Sequence, residues 1–365
     1  MSGHRGGVSL RRGRVLGTLE ARPGAVELAV EIGGERATAL AYPDLVGPVA
    51  EGDVVVLNTT AVELGLGTGG LHLVVAVEGG PDLDLDGGRV VKARYTPLQV
   101  AVRTAEETHR DALEGSHGLG GTPVVCAPLH SMVAPVAAGA KAAGAGRVAY
   151  LMTDGAALPG ALSRLVPRLR EAGLLDAFVT CGQAFGGEVE AVTLWSGLLA
   201  AVEVAGAEVV VVADGPGNLG TDTTWGVSAL SSGHALNAAE ALGGRPVAAL
   251  RVSLSDPRAR HRVVSHHSLT ILERVCTVRA NVAVPVLEDA RERDAIWDAL
   301  RAGKLEERHQ LVEVDGRPGV RRLAELGVEV ESMGRTPRDD PAFFLAAGAA
   351  GVLAGRMAVA SRRYR

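Results

Sequence analysis

Residues 208–220 read EVVVVADGPGNLG, and this stretch decides the fold. Its first half is a run of valines without a polar break, which is typical of a strand buried on both faces of a parallel sheet. Its second half opens a glycine-rich loop that continues to Gly226. A helix is predicted next over 235–242, followed by a second strand over 246–254. This succession of strand, loop, helix and strand indicates an α/β domain with a candidate site at the loop.

The same alternation extends in both directions from this stretch. Further strands are predicted at 123–128, 148–152, 177–180, 282–287, 310–314 and 328–331. Helices are predicted at 99–113, after Ser131 as a cap, at 162–172, 191–204, 290–300 and 320–326, and from Pro341 onward. We therefore expect a mostly parallel sheet with helices on both faces. Because crossover connections share one hand, the carboxyl ends of the strands should meet at one edge.

The first part of the chain predicts a different architecture. Residues 26–32 alternate between apolar and polar, and further short strands are predicted at 38–42, 53–57 and 71–77. So few strands favour a small all-β, barrel-like domain of the SH3 or OB kind. The predicted boundaries are 1–80 for this domain, 81–88 for a linker and 89–365 for the α/β domain.

Two segments near this boundary suggest ligands but have simpler interpretations. Asp82, Asp84 and Asp86 alternate as in a calcium loop, but the terminal bidentate glutamate is missing, so a solvated linker is favoured. The glycine-rich loop at 65–70 could wrap a ligand, although a wide hairpin turn is the simpler interpretation.

Composition limits the class of protein. The 365 residues are 47% hydrophobic, and 37 basic against 42 acidic side chains give a net charge of -5, so no nucleic-acid partner is expected. Three scattered cysteines without a CxxC pair indicate neither a disulfide framework nor a thiolate zinc site. The start of the chain lacks the apolar segment of a signal peptide. The most apolar tract, 343–355, is shorter than the ~20 residues of a membrane span. We expect a cytoplasmic protein without a membrane partner, in which this tract packs in the core, with a homodimer contact as the alternative.

Polar or reactive side chains follow five consecutive predicted strands, namely His130, Asp154, Cys181, Asp214 and Asp256. A shared edge would bring them together, although an aspartate at a strand end is also a common turn cap. The basic segment that follows Asp256 adds three histidines to these candidates. The candidate catalytic residues are therefore His130, Asp154, Asp214, Asp256, His261, His266 and His267.

The glycines of the loop match GxGxxG after a strand. Dinucleotide binding requires a helix to begin inside that motif, whereas this loop continues, so backbone N–H groups that bind an anion are favoured. The candidate ligand-binding residues are Gly215, Gly217, Gly220, Thr221, Thr223 and Thr224, with Arg258 and Arg260 as the counter-charges.

His266 and His267 are adjacent, and neighbours on a helix point about 100° apart, so one metal ion is not expected to bind both. Ser265 is predicted to cap a helix, which places both in its first turn, where the positive helix end favours a neutral base or ligand. Surface histidines are the alternative. For His261, which lies between arginines, the alternative is a solvated basic turn.

Short motifs are spread along the chain: YTPLQ at 95–99, LHSM at 129–132, TDGAALP at 153–159, GPG at 215–217 with Gly220 and Thr221, and RH at 260–261 with SHH at 265–267. Together they resemble a bacterial family named only domain of unknown function 3866. The resemblance covers nearly the whole chain and implies no activity, because the family carries none. Asp222 stands where the resemblance suggests a glycine, which adds a negative charge to the loop.

These patterns support two functional hypotheses. The first is a hydrolase or transferase acting on a small phosphorylated or nucleotide-like substrate. His261 or His266 would act as the acid–base group, and Asp214 or Asp256 would orient a histidine or bind a divalent metal ion. The second is a non-catalytic regulatory protein that binds a small molecule. Both imply a small anionic ligand.

Overall fold

The computed structural model describes residues 7–66, 69–85 and 87–362. The chain folds as two compact units, Met1–Ala101 and Val102–Arg365. The described residues of the predicted linker, 81–85 and 87–88, contain no helix or strand. Asp86 of that linker and two members of the front glycine loop, Gly67 and Thr68, lie outside the described residues.

The first unit contains a closed five-stranded barrel with the strand order β1-β2-β3-β5-β4, which confirms the predicted barrel-like domain. Its strands are β1 (Leu10–Arg22), β2 (Ala25–Ile32), β3 (Glu35–Ala41), β4 (Val54–Asn58) and β5 (Leu71–Val77). The remaining elements in this part of the chain are β6 (Val90–Lys92), β7 (Val100–Val102) and the short helices α1 (Pro43–Val46) and α2 (Thr60–Glu63). The predicted alternation fills the barrel, because Leu28 and Val30 of β2 are fully buried.

The second unit is built on an eight-stranded sheet in which every neighbouring pair is parallel. Its strands are β8 (Pro123–Cys126), β9 (Val148–Thr153), β10 (Ala177–Thr180), β11 (Val189–Glu190), β12 (Val209–Asp214), β13 (Arg245–Ala249), β16 (Asn281–Pro285) and β17 (Gln310–Val314). The small antiparallel pair β14 (Val252–Ser253) and β15 (Val263–Val264) lies outside this sheet. The predicted parallel sheet is therefore confirmed.

Helices cover both faces of the sheet. They are α3 (Ala105–Thr108), α4 (Arg110–Glu114), α5 (Val133–Ala142), α6 (Leu165–Glu171), α7 (Leu194–Leu199), α8 (Ser231–Ala241), α9 (His266–Thr270), α10 (Ala290–Ala302), α11 (Leu305–Arg308), α12 (Arg317–Glu325) and α13 (Pro341–Arg362). On β12, Val209 and Val211 face the core with α5, α6, α12 and α13, whereas Val210 and Val212 face the core with α7, α8, α10 and α11. The unbroken valine run is thus explained by burial on both faces.

Several predicted elements differ from the structure. The helix predicted over 99–113 is instead β7 followed by α3 and α4, because its apolar residues do not form a stripe at helical spacing. The strand predicted at 246–254 is divided into β13 and β14, and the strand predicted at 328–331 is absent from this described segment. Ser131 does not cap α5; it lies in a 3-10 turn, and its hydroxyl hydrogen-bonds the Ser332 hydroxyl at 2.9 Å.

Helix α13 is longer than the apolar tract that predicted it. This helix of 22 residues is long and apolar enough to cross a membrane by length and composition. However, 78% of its apolar 18-residue stretch is buried inside the protein. Small residues allow close packing on α5, since a side chain at Gly351 would overlap the carbonyl oxygen of Val136. This burial agrees with the expected core packing, and the dimer contact stays a prediction that sedimentation can test.

The order of strands marks where a ligand should bind. The chain runs from β8 to β9, β10 and β11 on one side, returns to insert β12 between β9 and β8, and then continues through β13, β16 and β17 on the other side. The direction therefore reverses at β12 and β8. In open parallel sheets a crevice forms at such a reversal, beyond the carboxyl ends of the strands.

Candidate functional site

A cavity of about 380 Å³ lies in the second unit at this reversal. Its wall consists of 128–131 after β8, 216–221 with Val227 and Ala229 after β12, then Arg251, Arg258, Arg260, His261 and His267 after β13, and finally 331–333 before α13. Of the described residues that the sequence nominated, the wall includes His130, Gly217, Gly220, Thr221, Arg258, Arg260, His261 and His267, but not Asp154, Asp214, Gly215, Thr223, Thr224, Asp256 or His266.

Asp214 organises the loop after β12 from beneath. Its carboxylate is 2% exposed and accepts hydrogen bonds from the hydroxyls of Thr153 (2.6 Å) and Ser231 (3.0 Å). The amide of Asn218 (3.0 Å) and the N–H of Gly155 (3.2 Å) complete the set. Burial raises the pKa of Asp214, although the hydrogen bonds from Thr153 and Ser231 oppose that shift. Among the described residues these donors include no histidine, so Asp214 holds the loop in shape.

The glycines allow this loop its path. A side chain at Gly215 would lie 2.7 Å from the Ala157 carbonyl oxygen, and Gly217 has a φ of +89°, which disfavours other residues. Within the described chain, the backbone N–H groups of Gly217, Asn218 and Gly220 make no hydrogen bond. These free donors belong to a loop that lines the cavity, and backbone N–H groups are one kind of group that can bind an oxyanion.

The threonines were expected to supply hydroxyl donors to a ligand, but the hydroxyls of Thr221 and Thr223 form hydrogen bonds within the loop. The Thr221 hydroxyl donates to the Gly226 carbonyl (2.9 Å) and lies 2.8 Å from the Thr223 hydroxyl, which accepts from the Gly226 N–H (3.1 Å). These hydroxyls therefore close the loop on itself. Thr224 lies outside the cavity wall. Asp222, the extra charge in the loop, forms an ion pair with Arg260 at 2.5 Å and so links the two loops.

Asp256 is enclosed by arginines. It is fully buried, and Arg258 contacts both its carboxylate oxygens at 3.0 and 2.9 Å. Arg251 and Arg335 approach at 3.3 and 3.4 Å. Burial raises the pKa of Asp256, but the hydrogen bonds and charges of Arg258 and Arg251 outweigh burial and hold the pKa well below its usual range. Asp256 is therefore an ionised anchor for guanidinium groups and does not orient a histidine.

His261, His266 and His267 converge. Each offers a ring nitrogen, and these three atoms all lie within 4.8 Å of one another. The ring centroids of His266 and His267 are 3.9 Å apart, and each lies 5.2 Å from that of His261. The expectation that adjacent histidines point apart is wrong here, because side-chain torsions bring both rings to one side. His261 is 2% exposed, so it is not part of a solvated turn.

The local fold holds this group of histidines in place. Ser265 caps α9 as predicted, accepting a hydrogen bond from the His267 N–H, and its hydroxyl also lies 2.9 Å from Nδ1 of His261. Burial, together with Arg251 and Arg258, lowers the pKa of His261 to about 3. Burial and the neighbouring His266 lower the pKa of His267 to about 4. The imidazoles are thus neutral at pH 7 and keep their lone pairs.

A comparison with protein families identifies the family of this chain. The family model described as Protein of unknown function (DUF3866) matches residues 38–351. The chain belongs to this family. The resemblance inferred from the short motifs is thereby confirmed, and the match includes every segment of the cavity wall. No curated protein and no solved structure matches the chain.

His130 lines the same cavity but has no free ring nitrogen. Nδ1 lies 3.1 Å from the Tyr150 hydroxyl, which itself donates to the Asp214 carbonyl at 3.0 Å. Nε2 lies 2.8 Å from the Ser163 hydroxyl. Burial lowers the pKa of His130 to about 4. This member of the DUF3866 family therefore uses His130 to join β8, β9 and β12 below the cavity.

The other strand-end residues lie away from the cavity. Asp154 is exposed, and its carboxylate accepts the Gln183 N–H at 2.8 Å, as a turn cap would. Cys181 is buried in the core on the α7 and α8 face. The alternative interpretation of an aspartate at a strand end, as a cap, therefore describes Asp154.

Sequence reasoning missed part of the wall. Arg251 lies directly after β13 within a stretch predicted as strand, so its polar character at a strand end was the available signal. The segment 331–333 carries no comparable signal, because it enters the site from a distant part of the chain. Met333 lies at a φ of +52°, and its sulfur accepts hydrogen bonds from Arg251 (3.4 Å) and Arg258 (3.3 Å).

Proposed function

We propose that the second unit is a hydrolase or transferase that acts on a small phosphorylated or nucleotide-like substrate. The observation that carries this proposal is the composition of the cavity wall, which combines Arg251, Arg258 and Arg260 with the free N–H groups of the glycine loop. Both kinds of donor recognise phosphate oxygens, the guanidinium by charge and paired N–H groups, the loop by backbone dipoles.

Size and charge agree with such a ligand. The cavity volume of about 380 Å³ lies at the lower end of the range for small-molecule sites, ~300–1,000 Å³. Three arginines line the wall, whereas Glu331 is its single carboxylate among the described residues. Asp256 and Asp222 pair with these arginines without occupying every guanidinium N–H, and Nε of Arg260 is buried without a partner. An anion would supply acceptors for these N–H groups.

His267 is the strongest acid–base candidate. It is 5% exposed, lines the cavity, and its Nε2 would lie 3.8 Å from a side-chain carbon at Gly220, so it faces the loop that would bind the anion. A neutral imidazole within reach of a substrate can accept a proton. His130 is a poorer candidate because both its nitrogens are bonded, and Asp214 and Asp256 support the loops and the arginines.

A regulatory protein that binds a small anion is the second candidate function. It is favoured by one observation: within the described chain, neither Asp214 nor Asp256 accepts a hydrogen bond from a histidine, so the expected Asp–His pair is missing. Such a pair is the usual means of orienting a general base.

We also propose a cytoplasmic location. Cys126, Cys181 and Cys276 are buried and none of them forms a disulfide, which fits a reducing compartment. Fractionation of the producing cells tests this directly, because recovery with an oxidising compartment would contradict it.

A thermal-shift screen tests the function. Inorganic phosphate, pyrophosphate, nucleotides and sugar phosphates are added with and without divalent metal ions, and a ligand present at 100 times its Kd should add ~2.7 kcal/mol of stability. Stabilising compounds are then assayed for product. Arg260→Gln should reduce the shift, whereas the control Arg262→Gln, on the same loop but outside the cavity wall, should retain it. Binding without turnover supports the regulator, and no shift with any anion contradicts both candidates.

A further inference from the structure

We propose that His261, His266 and His267 bind one divalent transition-metal ion of the Zn²⁺ type. The proposal stands on the geometry of this trio and on its unbonded nitrogen atoms. Metal binding does not depend on the proposed function; only the use of the metal in catalysis rests on it.

The spacing suits one ion. In a tetrahedral zinc site, Zn–N distances of about 2.0–2.1 Å place ligand nitrogens roughly 3.4 Å apart. The three nitrogens of the trio already lie within 4.8 Å of one another without an ion. Side-chain shifts of about 1 Å would bring these nitrogens to the spacing of a tetrahedral site.

The bonding of the rings points to a missing partner. Nε2 of His266 and Nδ1 of His267 are buried, and neither has a hydrogen-bond partner. Buried polar atoms in folded proteins are nearly always satisfied, and two unbonded nitrogens on adjacent rings are available to a ligand or an ion. A metal ion accepts a lone pair from each ring and needs no proton from the protein.

The third ring is oriented for the same purpose. The hydroxyl of Ser265 lies 2.9 Å from Nδ1 of His261, which leaves Nε2 as the ligand atom. Metal-binding histidines usually hydrogen-bond through the other ring nitrogen, since this fixes both tautomer and orientation. Ser265 also caps α9, so one side chain contacts the His261 ring and fixes the start of the helix that carries the other two histidines.

The donor set selects the class of metal. Three neutral imidazoles favour Zn²⁺, Co²⁺, Ni²⁺ or Cu²⁺, whereas Mg²⁺ and Ca²⁺ require oxygen ligands that this trio lacks. Nearby arginines oppose a dication, but Asp256 is paired with Arg251 and Arg258, and Asp222 with Arg260. The local positive charge is thereby reduced by two carboxylates.

The site would border the cavity. His261 and His267 both line the cavity, and Gly220 opposite His267 has no side chain to fill the space. Three protein ligands leave a fourth position for water or substrate, as in catalytic zinc sites. If the proposed function holds, the metal would hold a water next to the anion donors, and His267, as one of its ligands, would then bind the metal instead of acting as the acid–base group.

Untagged, chelator-treated protein tests the proposal with Zn²⁺ calorimetry and with the visible absorption of bound Co²⁺. We expect one ion per chain, and His266→Gln and His267→Gln should each weaken binding about 100-fold or more. His130→Gln is the matched control: it removes a half-buried histidine from the same cavity, but one with both nitrogens bonded, and should bind metal as the wild type does.

An absence of stoichiometric binding in the wild type would overturn the proposal, and so would equal affinity in the two trio variants. Should these variants fail to fold, X-ray absorption of the Zn²⁺-loaded wild type decides, because the proposal requires three imidazole ligands. Pyrophosphate-induced thermal shift of the metal-free protein separates the two ideas. A shift without metal binding would overturn only the metal site, and metal binding without any anion effect would overturn only the proposed function.

Discussion

Two loops border the cavity, and their buried polar side chains are satisfied to different extents. In the loop after β12, the Asp214 carboxylate receives hydrogen bonds from four residues and is fully satisfied. In the loop after β13, buried nitrogens of Arg260, His266 and His267 have no partner. The carboxylate at the base of the first loop is satisfied by residues of neighbouring segments, and only backbone N–H groups of that loop stay free, whereas the second segment leaves buried side-chain nitrogens that a ligand would complete.

This difference distinguishes the groups that hold the site in shape from the groups that could bind a ligand. A carboxylate whose oxygens already accept several hydrogen bonds fixes the shape of a loop and has few lone pairs free to contact a substrate. Unbonded buried nitrogens cost free energy, and a fold retains them where a water, a ligand or an ion compensates. On this account the glycine loop supplies a preformed surface for an anion, and the segment 251–267 supplies charge and ligand atoms.

The largest effect is expected at Asp256, the carboxylate that holds the second loop. Asp256→Ala leaves Arg251, Arg258 and Arg335 close together without their shared counter-charge, and removing one partner of a buried ion pair costs about 3–5 kcal/mol. Urea unfolding measures the loss. The control Asp222→Ala breaks the exposed pair with Arg260 and should cost no more than about 1 kcal/mol. Equal losses would show that Asp256 is not the anchor.

A second prediction concerns His130. Both its ring nitrogens have hydrogen-bond partners, as the Asp214 carboxylate does. Its folded pKa of about 4 lies below the unfolded value of about 6.5, so between these values the unfolded chain binds a proton that the folded chain does not. Stability should therefore fall as pH decreases from about 6.5 to 4, by at most ~3 kcal/mol from this group. Its neighbours Tyr150 and Ser163 carry no charge at these pH values.

Denaturant unfolding across this pH range, in the wild type and in His130→Gln, isolates that contribution. The variant should be less stable at pH 7 and should lose less of its stability on acidification. An identical pH slope in both proteins would contradict the assignment of a buried neutral imidazole.

Gly217 tests whether the first loop is a preformed surface. Gly217→Val places a branched side chain at a φ of +89° and beside the free N–H groups, so it should abolish anion binding and cost about 1–2 kcal/mol of stability. Gly243→Val is matched, because its φ of +72° imposes similar strain outside the cavity wall. Calorimetry with the anion found by screening should show binding only in the control; binding in both variants would exclude the loop.

The smallest effect is expected at the link between the loops. Asp222→Asn releases Arg260 from its ion pair and should raise anion affinity by up to about fivefold, the equivalent of ~1 kcal/mol. The increase should disappear at high salt, where exposed charges are screened. A loss of affinity would instead mean that Asp222 positions Arg260 for the ligand.

The sequence was sufficient for the architecture. A valine run such as 209–212 has few alternatives to a doubly buried parallel strand, and the alternation along 26–32 likewise specifies one face of a barrel. The edge of the sheet that carries the site follows from topology, so the glycine loop and the segment 258–267 were both placed correctly on it.

The contacts inside the site could not be read in the same way. Ser231 and Thr153 reach Asp214 through tertiary packing, and no local pattern links these positions. The convergence of His266 and His267 depends on side-chain torsions, which backbone geometry at adjacent positions argues against. Loop conformation is set by contacts with residues that are distant in sequence. For the same reason, the sequence did not predict that the segment 331–333 lines the cavity.

The central claim is that one cavity holds a metal ion on its histidine side and an anion on its arginine and glycine side. Anomalous diffraction from crystals soaked with Zn²⁺ and tungstate, a tetrahedral oxyanion that resembles phosphate, tests it most directly. We expect a zinc peak among His261, His266 and His267, and a tungsten peak within hydrogen-bond distance of Arg258 or Arg260 and the Gly217 N–H. An ordered cavity without either peak, or both peaks elsewhere on the protein, would contradict the account.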